Sequence, residues 1–388
     1  MKLFVLLSRV PYPLVKGDKL RAYHHIRCLS KYHEIHLFCL NDTKLHPDAR
    51  GKLSEYCRSI TIVNLSKWKL YAGLLWALLS NKPFQVGYFY NKKVKKQIAD
   101  KINEIKPGHI FCQLIRVAEY IKDISIPKTL DYQDVFSKGA ERMSSSASFF
   151  IKPVLRMEAR RVKKYERTIF DKFNNKIIIS HPDRDIISHP DKNNIEVVMN
   201  GVDTEFFKPL IRDKEYDLLF TGNMAYMPNI NSVEYLVNEI LPVLKKKKPG
   251  IKILIAGATP DKKVLNLACD NVTVSGWVED IRECYAKSKI FVAPMQIGTG
   301  MQNKLLEAMA MKLPCVTSGL ANNALLAADG QDILVGYSTE DYAMKILRLL
   351  DEPELYQKLS ESGHSFVTEH FNWKVQTDKI NTLIINTR

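Results

Sequence analysis

Short apolar runs alternate with amphipathic stretches along the whole chain. That alternation predicts parallel sheets covered by helices on both faces. Two such series occur. The first places strands near Lys2 to Leu7, Glu34 to Leu40, Ile60 to Leu65, His109 to Cys112, Lys128 to Asp131 and Lys176 to Ile179, with a long basic helix from about Phe150 to Phe173. The second places them near Asp217 to Thr221, Lys252 to Ala256, Val272 to Ser275, Ile290 to Pro294 and Pro314 to Ser318. Between them, Asn200-Gly201-Val202-Asp203 followed by Lys208-Pro209 reads as a linker. The pattern predicts an α/β chain of two doubly wound domains, whose ligands bind at the carboxyl ends of the strands.

One segment of the second series carries candidate chemistry. From Ala293 the chain reads Pro294-Met295-Gln296-Ile297-Gly298-Thr299-Gly300-Met301-Gln302-Asn303-Lys304-Leu305-Leu306-Glu307-Ala308-Met309-Ala310-Met311: a strand, a glycine turn and a helix. Gly298 and Gly300 allow close approach of a ligand to the backbone, and the unpaired N–H groups of a helix start attract an anion. At helical spacing Lys304, Glu307 and Ala308 share one face, opposite a buried face of Leu305, Leu306, Met309 and Ala310. Amides plus a lysine suit a diphosphate, and a carboxylate one turn on suits a pair of ribose hydroxyls. The same residues also fit a plain surface Lys–Glu pair at i,i+3.

Composition narrows the classes. The 388 residues, 46% hydrophobic and 26% charged, can build two full domains. The seven cysteines are scattered and never spaced C-x-x-C, which points away from a zinc site or disulfide framework and toward a cytoplasmic setting. The first residues read as a buried strand, not a leader peptide, and no apolar run is long enough to span a membrane.

Charge is unevenly spread. Residues 1–206 hold 36 Lys and Arg against 21 Asp and Glu, while residues 207–388 hold 21 against 21, so the whole excess of +15 lies in the first half. Such a field attracts a phosphorylated acceptor, an anionic membrane leaflet or nucleic acid, and no nucleic-acid motif accompanies it. Peripheral contact with an anionic membrane is expected around residues 67–96, where Lys67-Trp68-Lys69 precedes a short apolar run with Trp76, and Lys92, Lys93, Lys95 and Lys96 follow. A buried core helix explains the apolar run equally well. Hydride transfer is disfavoured, since neither domain opens with G-x-G-x-x-G.

The segment from Gly300 to Ala310, with Pro314-Cys315-Val316-Thr317 after it, resembles the donor-binding motif of the retaining GT-B glycosyltransferases of family 4. Pro11-Tyr12-Pro13-Leu14-Val15-Lys16-Gly17-Asp18-Lys19-Leu20-Arg21 and Phe220-Thr221-Gly222-Asn223-Met224 are similar to the sugar transferases of bacterial exopolysaccharide clusters. The resemblance implies two Rossmann-like domains facing across a cleft. An acceptor-side domain would span 1–204 and a nucleotide-sugar domain 205–370, with a final helix 371–388, from Phe371-Asn372-Trp373, crossing back to the first. It further implies a metal-independent transfer of a sugar from a nucleotide diphosphate donor to a glycan or lipid-linked acceptor, with no cofactor. An epimerase or hydrolase on the same fold, or a non-catalytic nucleotide-sugar or nucleic-acid binding protein, remains open beside it.

Site roles follow from the same resemblance. Lys304 would hold the diphosphate, Glu307 the ribose, and Gly276-Trp277-Val278 the base, with Asn223, Gly298, Thr299, Gly300 and Met301 around the donor. Asn223 stands where many relatives carry a basic residue, and Thr299 where the E-x7-E pattern has its first Glu. Gly17, Asp18 and Arg21 would border the acceptor. Gln113 and Arg116 stand near the family's usual first-domain histidine. Asp131 and Asp134 end a predicted strand, and either could accept the acceptor's proton or cap the next helix. His24 and His25 read as surface or interdomain residues.

Overall fold

The computed structural model describes residues 1–297 and 300–387, the side chains of Lys69 and Ser146 excepted. Its strands are β1 Lys2–Leu7, β2 Glu34–Asn41, β3 Ser59–Asn64, β4 His109–Gln113, β5 Lys128–Gln133, β6 Asn175–Ile178 and β7 Glu196–Val197, then β8 Tyr216–Thr221, β9 Ile253–Ala256, β10 Val272–Gly276, β11 Ser288–Ala293, β12 Cys315–Ser318 and β13 Leu334–Gly336. They form two parallel sheets, ordered β3-β2-β1-β4-β5-β6-β7 and β10-β9-β8-β11-β12-β13. The strand order reverses between β1 and β4 in one sheet and between β8 and β11 in the other. Both are doubly wound Rossmann-like sheets, and each reversal opens a crevice at the strand ends. The apolar runs place eleven of these strands; β7 and β13, with two and three residues, are too short to leave a pattern.

Contacts divide the chain into Met1–Met199 with the residues from Trp373 on, and Asn200–Asn372. In the first unit the alternation of side chains along β1 sends Leu3, Val5 and Leu7 to one core layer, and Phe4 and Leu6 to the other. Ile380 and Ile384 of the last helix, Trp373–Asn386, belong to the first layer. Against that helix lie His24, stacked on Trp373 at 4.7 Å, and His25, hydrogen-bonded to Thr377 at 2.8 Å. Both histidines are buried within the first unit rather than at a surface, because the last helix covers them.

The helix Lys67–Leu79 is not a core helix. It packs through Gly73 and Ala77 on the helix Phe84–Phe89; a Cβ on Gly73 would lie 2.0 Å from the Gly87 carbonyl oxygen. The opposite face, with Trp68, Tyr71, Leu75 and Leu79, is exposed. So are Phe149, Phe150 and Ile151 before the helix Lys152–Phe170, which carries a run of basic residues. Among the described residues no helix is long and apolar enough to cross a membrane.

Candidate functional site

The second unit builds its site at the reversal between β8 and β11. Where β8 and β9 end, the backbone of Gly222 meets that of Gly257 so closely that a Cβ on Gly257, at φ +146°, would lie 1.7 Å from the Gly222 carbonyl oxygen. A Cβ on Gly222 would in turn reach 2.6 Å from Asn229 and 3.3 Å from the Lys304 ammonium. Small residues are required here because two loops and a lysine converge on one point. Gly276 ends β10 at φ +66°, and its carbonyl accepts from the Gly257 N–H at 2.9 Å.

Lys304 and Glu307 lie on the helix Asn303–Ala310, whose first residue follows Gln302. Gln302 makes no side-chain cap; its amide donates instead to the Gly300 carbonyl at 2.9 Å. The third N–H of the helix, that of Leu305, donates to the Gln302 carbonyl at 2.9 Å, and the N–H groups of a helix start attract an anion. Leu305, Leu306, Met309 and Ala310 are buried as the spacing requires, but Ala308, assigned to the polar face, is buried too. Lys304 Nζ donates to Asn229 Oδ1 at 2.5 Å and sits 4.2 Å from the centre of the Phe220 ring. Glu307 Oε2 accepts at 2.8 Å from the hydroxyl of Tyr285, a fully buried residue that also bonds Thr221 at 2.8 Å.

Burial dominates the charges of this pair. It lowers the Lys304 pKa to about 7, with Glu307 opposing the shift, and raises Glu307 to about 7 against Tyr285 and Lys304. A diphosphate would restore the lysine's charge, and ribose hydroxyls would favour the carboxylate. Asn223 is exposed; its side chain accepts from the Ala225 N–H at 3.0 Å and from Thr259 at 2.9 Å. Trp277 is exposed and Val278 half-buried beyond Gly276, while Gly300 and Met301 are half-buried. Gly298 and Thr299 lie outside the described residues.

The first unit gathers its candidates at the ends of β1, β4 and β5. Arg21 and Asp131 are fully buried and paired, Nε to Oδ2 at 2.7 Å, and Asp131 also accepts from the Gln133 N–H. That pair is structural, so Asp131 neither caps a helix nor opens to a ligand. Gln113 donates to the Asp18 carbonyl at 3.0 Å and to Gln133 at 3.3 Å, tying strand end to the first helix. Gly17 opens that helix, exposed and with nothing near its α-carbon hydrogen side. Asp18 lies 3.5 Å from Arg9. Asp134 is exposed and accepts from the Val135 N–H at 2.8 Å. Arg116 lies between Phe136 and Phe89, 4.7 and 5.8 Å from the ring centres. Among the described residues no three His, Cys, Asp or Glu side chains group as a metal ion would need.

Residues 215–352 match the family described as Glycosyl transferases group 1. Along nearly its whole length the chain is similar to an uncharacterized 44.6 kDa protein in the cps region of Klebsiella pneumoniae, with 21% identity over 96% of this chain and 97% of the relative. Half of the chain, 50%, is 24% identical to 54% of the UDP-Gal:alpha-D-GlcNAc-diphosphoundecaprenol alpha-1,3-galactosyltransferase of Escherichia coli. Among solved structures, sucrose-phosphate synthase from Thermosynechococcus elongatus superposes with a TM-score of 0.70 at 14% identity, covering 100% of this chain and 99% of that one. HepE from Anabaena, in complex with UDP and glucose, superposes with a TM-score of 0.70 at 10% identity over 100% of both chains. These likenesses show the fold, the paired Rossmann-like domains of GT-B glycosyltransferases.

The matched stretch holds Lys304, Glu307, Gly222, Gly257, Gly276 and also Tyr285, Asn229 and Phe220, which sequence reasoning left without a role. Tyr285 lies on the helix Ile281–Ala286, distant in sequence from Glu307, and only the three-dimensional contact reveals it. Gly257 had a signal available: a glycine directly after an apolar strand, as Gly222 and Gly276 are.

Proposed function

We propose that this protein is a retaining, metal-independent glycosyltransferase that moves a sugar from a nucleoside diphosphate donor, UDP in first rank, to a lipid-linked glycan in cell-surface polysaccharide assembly. The observation that carries this reading is the Lys304–Asn229 and Glu307–Tyr285 arrangement at the strand-order reversal of the second unit. Lys304 and the helix-start amides would meet the charge that develops on the leaving diphosphate, and Glu307 would bind the ribose. Retention would proceed on one face of the sugar, since Glu307 is committed to the ribose and no second carboxylate joins it in the contacts described. Asp134, exposed at the end of β5, would take the acceptor's proton.

The donor assignment is supported by a relative named for UDP-Gal and by a fold neighbour in complex with UDP. Supporting a lipid-borne acceptor are the diphosphoundecaprenol in that relative's name and the exposed Trp68, Tyr71, Leu75, Leu79, Phe149 and Phe150 beside basic helices. Such a surface suits peripheral docking on an anionic leaflet.

The deciding experiment offers a panel of UDP-sugars and diphospholipid-linked monosaccharides with EDTA present. Transfer with the donor's anomeric configuration kept, read by NMR of the product, is expected. Donor hydrolysis without acceptor, inversion, or activity that only magnesium or manganese restores would overturn the reading. Flotation with anionic liposomes tests the docking separately: binding should weaken with salt and with Trp68→Ser and Phe150→Ser combined, and absence of binding at low salt would reject it.

A further inference from the structure

Two arginines of the first unit are largely buried near the strand ends, and they differ in one respect. Arg21 is paired with Asp131 at 2.7 Å. Arg116 has no hydrogen bond or ion pair among the described residues, and its Nε is buried without a partner. Burial and the neighbouring Arg9 press its pKa downward, against the pull of Asp18, Asp42 and Asp134. Those carboxylates are engaged elsewhere: Asp18 and Asp42 lie 3.5 and 3.6 Å from Arg9, Tyr88 donates to Asp42 at 3.4 Å, and Asp134 holds the Val135 N–H. Nearby carboxylates thus act on Arg116 through space but none of those described accepts from it, and a buried Nε–H without an acceptor is costly.

What holds Arg116 in place leaves its donors unused. The rings of Phe136 and Phe89 contact the guanidinium, and Arg9 lies 5.7 Å from the centre of the same Phe89 ring. Ring contacts engage the flat face of a guanidinium, while its N–H edges point outward and match an oxyanion two by two. The backbone on both sides is strained as well. Leu114 at φ +70° and Gln133 at φ +59° end the adjacent strands β4 and β5 in the left-handed region, which non-glycine residues enter at a cost and which recurs at ligand sites.

We propose that Arg116, flanked by Arg9, binds a phosphate oxyanion of the acceptor. The assignment to the acceptor rests on the glycosyltransferase reading above, in which Lys304 serves the donor's diphosphate; the oxyanion site itself stands on the first unit alone. A phosphate there would accept from the unused donors of Arg116 and fix the acceptor by its phosphorylated end.

The test is calorimetric titration of geranyl diphosphate and, separately, UDP into the full chain at low salt. Geranyl diphosphate should bind the wild type, lose about tenfold or more in affinity in Arg116→Gln, and keep its affinity in Lys304→Ala. UDP should show the opposite pattern. If Arg116→Gln fails to fold, Arg116→Lys, which keeps the charge but not the two-pronged geometry, should weaken geranyl diphosphate at least about threefold. Wild-type affinity in a folded Arg116→Gln, or in Arg116→Lys, overturns the site, as does absence of binding to the wild type. Loss of UDP together with geranyl diphosphate in Arg116→Gln would assign the oxyanion to the donor and overturn the acceptor assignment. Arg116-dependent binding without transfer to any acceptor would sink the glycosyltransferase reading and leave the site standing.

Discussion

The candidate sites of the two units solve the placement of charge in opposite ways. In the second unit one lysine and one carboxylate sit on a single short helix, both pushed by burial toward neutrality and each held by a neutral partner, Asn229 and Tyr285. In the first unit the charges come from four separate segments, Arg9, Asp18, Asp42 and Arg116; Arg9 lies within ion-pair distance of both carboxylates, while Arg116 makes no ion pair of its own among the described residues. The comparison teaches that the second site is shaped by backbone, through glycines that no side chain could replace, whereas the first is shaped by side chains over a backbone that is strained to present them.

The sharpest way to break the backbone-shaped site is Gly257→Ala. Its Cβ would need the space held by the Gly222 carbonyl, so the second unit should lose about 4 kcal/mol or fail to fold, while the first unit's transition is untouched. Two resolved transitions in differential scanning calorimetry would show it, and a variant melting like the wild type would mean the loops are not in contact.

The first unit's side chains are tested next through Glu166, which is buried, accepts from the Ser137 N–H at 3.1 Å through its carboxylate and from the Tyr132 hydroxyl at 2.9 Å through its backbone carbonyl, and has its pKa raised by burial to about 7. A raised folded pKa contributes stability in full below the ordinary carboxylate value and loses it as pH climbs through about 7. Ionising this group should therefore cost the first unit on the order of 3 kcal/mol by pH 8. Asp183, raised to about 6 by burial, acts in the same direction. Glu166→Gln should flatten most of the decline between pH 5 and pH 8, and an equally steep decline in the variant would contradict the assignment.

A smaller effect probes the partner of Glu307. Tyr285→Phe removes one hydrogen bond to a carboxylate and should weaken UDP binding by about tenfold, near 1.5 kcal/mol, with little change in fold. Unaltered affinity would show that the tyrosine does not orient Glu307.

This contrast also explains what the sequence revealed. Eleven strands and the helix carrying Lys304 and Glu307 were legible because each is a local pattern: an apolar run, a glycine turn, an i,i+3 spacing. Ala308 was misplaced because its small size reads equally as a face opening to a ligand or as close packing. Tyr285, Asn229 and the unpaired state of Arg116 depend on contacts between distant segments, and no spacing announces them. The exposed face of the helix Lys67–Leu79 was ambiguous for the same reason, since Gly73 looks no different in sequence whether it packs on a neighbour or not.

The central claim is that Lys304 and Glu307 together hold a nucleoside diphosphate. Its most direct test is calorimetric titration of UDP into wild type and Lys304→Ala between pH 5.5 and pH 8.5. The wild type should bind best near neutrality, falling above about pH 7 as Lys304 loses its proton and below it as Glu307 gains one. Lys304→Ala should bind roughly ten- to a hundred-fold more weakly, the worth of one charge-assisted contact, and should lose the decline on the alkaline side. A folded Lys304→Ala that binds UDP with wild-type affinity and an unchanged pH profile would contradict the account.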